Sequence, residues 1–299
     1  MSLRLEMLQV ARLAPKLLGE SNDLVRDFLL RQQNADGGFK GRSDTSDLYY
    51  TIFGIDGLLA LQAELPVGRI ESYLQTFRHG EELDFVHLCC LARGWAALSN
   101  SALGLDSPTG ELRRSLLCRI ETFRARDGGY HPVAGSPFGS AYGAFLALGC
   151  YQDLRAELPE PLCLVQALKF LETEDGAWSN ERGGKGGATN ATAAAITVLR
   201  NLGFPINPSA GDWLLDRCDA TGGFRAGPSA PMPDLLSTAT ALHALAGMEI
   251  SCERIKEPCL DFIDTLWTNE GSFHGHWGEE LLDCEYTFYG LLALGHLSL

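Results

Sequence analysis

Asp36-Gly37-Gly38-Phe39 returns along the chain as Asp127-Gly128-Gly129-Tyr130, Asp175-Gly176-Ala177-Trp178, Thr221-Gly222-Gly223-Phe224 and Glu270-Gly271-Ser272-Phe273. The starts lie 91, 48, 46 and 49 residues apart. The first interval is twice the others, so a degenerate copy is expected between Gly80 and Asp84, and six units then use up the 299 residues. Self-similarity at a fixed period of this size is the signature of a repeat architecture.

Each mark is followed by a polar loop and then by a segment rich in Ala and Leu, as in 51–62, 143–150, 192–202, 238–248 and 287–297. Length and composition make these helices, and a helix that is apolar nearly all round is a buried one. The segments before the marks, 24–33, 111–126, 162–172 and 253–267, carry charges at helical spacing and read as amphipathic outer helices. Glycine is expected to stop each outer helix, because a left-handed residue costs it little. An open solenoid needs polar end caps, and neither terminal unit is more polar than the rest. The expected fold is therefore a closed, all-α (α/α)6 toroid, a double-layered barrel of six helix pairs forming one domain over residues 1–299.

The net charge of −14 repels polyanions and argues against nucleic-acid binding. No stretch approaches the roughly 20 apolar residues of a membrane span. The first 18 residues mix Glu6 with Arg4, Arg12 and Lys16, unlike a signal peptide. Nine cysteines without a C-x-x-C pair suit a reducing compartment, so a cytoplasmic location is expected.

Aligning the units on the opening of each inner helix gives Thr51, Leu88, Gly143, Thr192, Thr238 and Thr287. Four residues earlier stand Asp47, Asp84, Gly139, Ala188, Asp234 and Asp283; two earlier stand Tyr49, Val86, Ala141, Asn190, Leu236 and Glu285; one earlier stand Tyr50, His87, Tyr142, Ala191, Ser237 and Tyr286. In a ring these columns encircle one mouth of the cavity. The acids there are helix caps or, where burial raises the pKa, general acids; Asp47, Asp84 and Asp283 are the catalytic candidates. The tyrosines are core packing or a pocket wall.

Gln32-x-x-x-Asp36-Gly-Gly-Phe-x-Gly41-Arg42, followed by Asp47-Leu-Tyr-Tyr-Thr51 and Asp84-Phe-Val-His87, resembles the repeats of protein prenyltransferase β-subunits and of squalene and terpene cyclases. The resemblance spans essentially the whole chain. It implies a toroid whose aromatic funnel takes an isoprenoid chain, often with its diphosphate at the mouth, and a helical partner subunit in the protein prenyltransferases. It places Arg42 and Tyr50 on the diphosphate, with Arg182, Lys185 and Arg225 in equivalent loops, and Tyr49, His87, Tyr142 and Tyr286 on the substrate.

The protein prenyltransferases hold zinc with Asp, Cys and His from the three columns. The corresponding set here is Asp47, Tyr49 and His87, which lacks the thiolate that favours zinc. A rearranged site for zinc or another divalent cation would use Asp283 and Glu285 with His276 or His274. The Asp-x-Asp-Asp acid of class II cyclases is absent; Asp261-Phe-Ile-Asp264, the nearest string, falls in an outer helix. The expected function is a prenyltransferase-type enzyme binding an allylic diphosphate. The alternatives are a terpene cyclase and a non-catalytic lipid-binding toroid.

Overall fold

The computed structural model describes residues 2–100 and 110–299. Six inner helices alternate with six outer ones. The inner set is α4 (Leu48–Ala60), α6 (Phe85–Asn100), α8 (Ala141–Asp153), α10 (Thr189–Asn201), α12 (Leu235–Gly247) and α14 (Cys284–Leu297); the outer set is α3 (Asn22–Arg31), α5 (Val67–Thr76), α7 (Gly110–Glu121), α9 (Pro161–Lys169), α11 (Ser209–Leu215) and α13 (Lys256–Leu266). Each inner helix packs on the next, and α14 packs back on α4, so the ring closes. Two helices precede the repeats: α1 (Leu3–Ala11) and the single turn α2 (Pro15–Leu18).

The repeating mark works as a spacer between the layers. Its first glycine sits at φ of +97° in Gly37, +87° in Gly128, +83° in Gly176 and +90° in both Gly222 and Gly271. That glycine does not end the outer helix, as the sequence suggested. The helix stops several residues earlier, and the glycine closes a tight turn in which Gln33 pairs with Phe39, Arg124 with Tyr130, Glu172 with Trp178 and Cys218 with Phe224. The turn drives the aromatic residue into the core, where Phe39, Tyr130 and Phe224 are fully buried.

Threonine then ties the mark to its inner helix. The Oγ1 of Thr51 accepts from Phe39 N–H at 2.8 Å and donates to the Asp47 carbonyl at 2.6 Å. Thr192 accepts from Trp178 N–H at 3.0 Å, and Thr238 from Phe224 N–H at 2.9 Å. In this way a buried N–H that the turn leaves free finds a partner.

Neighbouring units are stitched at the same end. The first N–H of α8 donates to the Asn180 carbonyl, that of α10 to Ala226 and that of α12 to Gly275, at 3.0, 2.9 and 2.8 Å. All six inner helices therefore begin at one mouth. At the opposite end α1 packs against α4, α8 and α14. Among the described residues no helix is long and apolar enough to cross a membrane.

Candidate active site

Counting from the residue before each inner helix, the second, sixth and ninth positions lie on one face, because steps of four and three residues return to the same side. The second positions include Tyr49, Tyr142, Asn190, Leu236 and Glu285; the sixth include Phe53, Ala194, Thr240 and Tyr289; the ninth include Arg93, Thr197 and His243. All of them line one cavity of about 370 Å³. This lies within the roughly 300–1,000 Å³ of small-molecule sites. A further lobe of about 80 Å³ continues past Cys90, Cys150 and Asp153.

Tyr142 enters this layer through a shift in register. The aligned position two before Gly143 is Ala141, but α8 starts one residue late, capped by Ser140, whose Oγ accepts from Gly143 N–H at 2.9 Å. Tyr142 therefore takes the inward position that Tyr49 holds in α4. One wall is aromatic, from Tyr49, Phe53, Tyr142, Phe145 and Tyr289; the facing wall is small and polar, from Ala191, Ala194, Asn190 and Thr240. Aromatic faces attract cationic charge, so the first wall suits a carbocation-like centre.

Glu285 is the acid inside the cavity. It is 9% exposed, and its Oε1 accepts from Tyr49 Oη at 2.6 Å. Burial pushes its pKa up to about 7 against the Tyr49 hydrogen bond, so the protonated form is populated at neutral pH. Burial also raises the Tyr49 phenol well above its ordinary value. The sequence reading gave Glu285 only as a metal ligand.

The rim carries two charged clusters. His87 Nδ1 lies 2.9 Å from Asp84 Oδ2, and its Nε2 lies 3.3 Å from Asp47 Oδ2. The Asp47 hydrogen bond, with Asp84 behind it, lifts the imidazole to about 9, so it is a cation at neutral pH. His87 in turn lowers Asp47. Asp84 is lowered too, its burial being outweighed by the N–H and ring of His87. These two candidate acids are thus held ionised, as caps and counter-ions, and are not proton donors at neutral pH. Across the mouth Arg42 Nε meets Asp283 Oδ2 at 3.3 Å, and the guanidinium lies 5.5 Å from the centre of the Tyr286 ring. Burial raises Asp283, against its hydrogen bonds from Tyr286 N–H and Arg42. Tyr50 packs over the Gly41 backbone beside them, and burial pushes its phenol up to about 12.

The remaining candidates lie away from the cavity. Arg182 stacks between the exposed rings of Phe138 and Phe170, 4.3 and 5.0 Å from their centres. Lys185 is exposed. Arg225 is paired to Asp219 at 3.1 Å. These three are therefore not gathered with Arg42.

Nor is the proposed metal set assembled. Glu285 is engaged by Tyr49 and Asp283 by Arg42, while His276 Nδ1 accepts from Gly278 N–H at 3.0 Å. Among the described residues no three His, Cys, Asp or Glu are placed to hold a metal ion. The Asp47, Tyr49 and His87 columns do not fit zinc either: both ring nitrogens of His87 face carboxylates, and a buried phenol stands where a thiolate is needed.

The sixth and ninth layers were not singled out in the sequence. Phe53, Tyr289, Thr240, Arg93 and His243 follow from the second column by adding four and then three residues. Asn180 had no such signal, since it reaches the cavity from a loop, where its Oδ1 accepts from Tyr142 N–H at 3.0 Å.

A closed ring of six helix pairs around a hollow, largely apolar centre defines the α/α toroids. The chain belongs to the prenyltransferase alpha-alpha toroid domain family, which matches residues 15–92 and 192–297. No curated protein matches the sequence. Similar solved structures include the type II terpene cyclase MstE from Scytonema in complex with geranylgeranyl dihydroxybenzoate, with a TM-score of 0.65, 15% identity and coverage of 95% of this chain and 97% of that one. Another is Candida albicans protein geranylgeranyltransferase-I complexed with GGPP, with a TM-score of 0.66, 14% identity and coverage of 92% and 90%. A polysaccharide lyase also matches, with a TM-score of 0.57, 12% identity and coverage of 93% and 97%. At these identities the likeness is one of fold. The lyase shows that function must be argued from the site.

Proposed function

We propose that the chain is an isoprenoid-utilising enzyme of the prenyltransferase type, holding the chain of an allylic diphosphate in the central cavity. The observation that carries this reading is the hollow itself: about 370 Å³, closed round by the ring and walled on one side by Tyr49, Phe53, Tyr142, Phe145 and Tyr289. Two structures of the same fold hold a geranylgeranyl group, one as GGPP and one joined to a dihydroxybenzoate, which supports an isoprenoid ligand. Arg42, with Tyr50 and Tyr286 beside it, would meet the diphosphate at the rim, where a guanidinium can hydrogen-bond two oxygens at once. The tyrosine and phenylalanine faces would stabilise the allylic cation as the diphosphate departs.

The test is incubation with geranyl, farnesyl and geranylgeranyl diphosphates, following diphosphate release and bound lipid by native mass spectrometry. Release or retention of at least one is expected. No binding of any of them would remove the reading.

A second reading, a terpene cyclase, is favoured by Glu285. A buried carboxyl with a pKa of about 7 is placed in the cavity wall where an alkene could be protonated. Cyclic products that form from a prenyl substrate and vanish in Glu285→Gln would select it.

A further inference from the structure

The inner ring is open at both ends, and the repeats account for only one of them. The end opposite the mouth is crossed by α1, which lies outside the segments that match the family. Its attachments come from inner helices all round the ring. Arg4 reaches Asp56 of α4 at 3.5 Å and Asp153 of α8 at 3.4 Å. Leu3 N–H donates to Gln152 Oε1 of α8 at 2.8 Å. Glu6 pairs with Arg200 of α10 and lies 3.9 Å from His243 of α12. With Arg4, Asp56 and Asp153 nearly free of solvent, the helix is fixed by buried charges on α4 and α8, and by the Glu6–Arg200 pair on α10, across the ring from α4.

Between these anchors Met7 points at the cavity. It is 8% exposed and lines both the main chamber and the smaller lobe. The inward layers run from the second to the ninth position of the inner helices, so the chamber is about 10 Å deep at roughly 1.5 Å per residue. Met7 follows Glu6, which lies 3.9 Å from His243 of the ninth layer, and so stands at the deep end, while Glu285 of the second layer stands at the shallow end. A chain entering from the mouth with its polar head at the rim therefore ends on Met7.

We infer that Met7, carried by α1, is the floor of the substrate chamber and sets the length of the isoprenoid chain that fits. This rests on the isoprenoid reading above. Methionine is unbranched and fills irregular space; shortening it opens the chamber toward the second lobe, and an aromatic ring there shortens it. Substitutions at the mouth would change affinity for the head group, which all chain lengths share. Substitutions at Met7 change the ratio between lengths.

The experiment is calorimetric binding of geranyl, farnesyl and geranylgeranyl diphosphates to the full chain, wild type and Met7→Ala, Met7→Phe and Met7→Leu, with melting temperatures recorded in parallel. The common diphosphate cancels from the ratios. Met7→Ala should move the preference toward the longer chain by roughly tenfold or more, the scale of a methylene-sized change in an apolar pocket. Met7→Phe should move it the other way, and the near-isosteric Met7→Leu should leave it in place. Wild-type binding with the same ratios in all variants, whatever their melting temperatures, overturns the floor while leaving the isoprenoid reading intact. Wild-type protein that binds none of the three overturns both.

Discussion

Replacing Glu285 by glutamine should stabilise the protein at about pH 8 by about 3 kcal/mol and leave it nearly unchanged at about pH 4. The carboxyl has an ordinary value of 4.5 in the unfolded chain and about 7 in the folded one, chiefly because burial opposes its charge. At 1.36 kcal/mol per pH unit the difference is about 3 kcal/mol. The folded-state pKa is the higher one, so the folded protein binds the extra proton. The associated stability is fully present below 4.5, falls as pH rises, and is gone once the pH has passed 7. Glutamine keeps an acceptor for the Tyr49 hydroxyl and has no charge to bury. Thermal melts of wild type and Glu285→Gln across this range should diverge with pH, by about 6 °C at the alkaline end, taking roughly 2 °C per kcal/mol for a chain of this size. Comparing the two at each pH cancels His87 and the other titrating groups. Parallel melting curves across the range would show that Glu285 is already ionised in the folded protein, and the case for it as a proton donor would fail.

The tie between mark and helix predicts that Thr51→Val costs about 1–3 kcal/mol in urea unfolding, because it strands the buried Phe39 N–H without changing shape; Thr238→Val should behave alike. Gly37→Ala should lower the melting temperature far more than Gly19→Ala: both glycines have positive φ, but a Cβ at Gly37 would lie 2.0 Å from the Arg69 carbonyl oxygen, while one at Gly19 meets nothing within 4 Å. Asp56→Ala should destabilise by about 3–5 kcal/mol, read by urea denaturation, since it leaves Arg4 and Arg93 short of a buried counter-charge.

The architecture was legible because its devices are local. A glycine at positive φ, an aromatic two residues later and a threonine near the start of the next helix all fall within about fifteen residues of sequence, so their recurrence showed the unit and the count. The degenerate second unit was also foreseen, and Gly80 keeps the positive φ there, at +76°. The cavity was only half legible. Adding four and three residues to the second column reaches its wall, but the start of α8 slips by one residue, which moved Tyr142 inward and Ala141 out of line.

The amino-acid sequence by itself determined six helix pairs, their two layers and the mouth at which the inner helices begin, since helix periodicity and turn chemistry act over short spans. Only the tertiary structure decided which partner each charged group meets. Glu285 meets Tyr49 across 236 residues, Arg42 meets Asp283 across 241, and Arg4 of the leading helix meets Asp153 across 149. Protonation and depth in this cavity depend on partners that ring closure brings together, and no spacing along the chain encodes them.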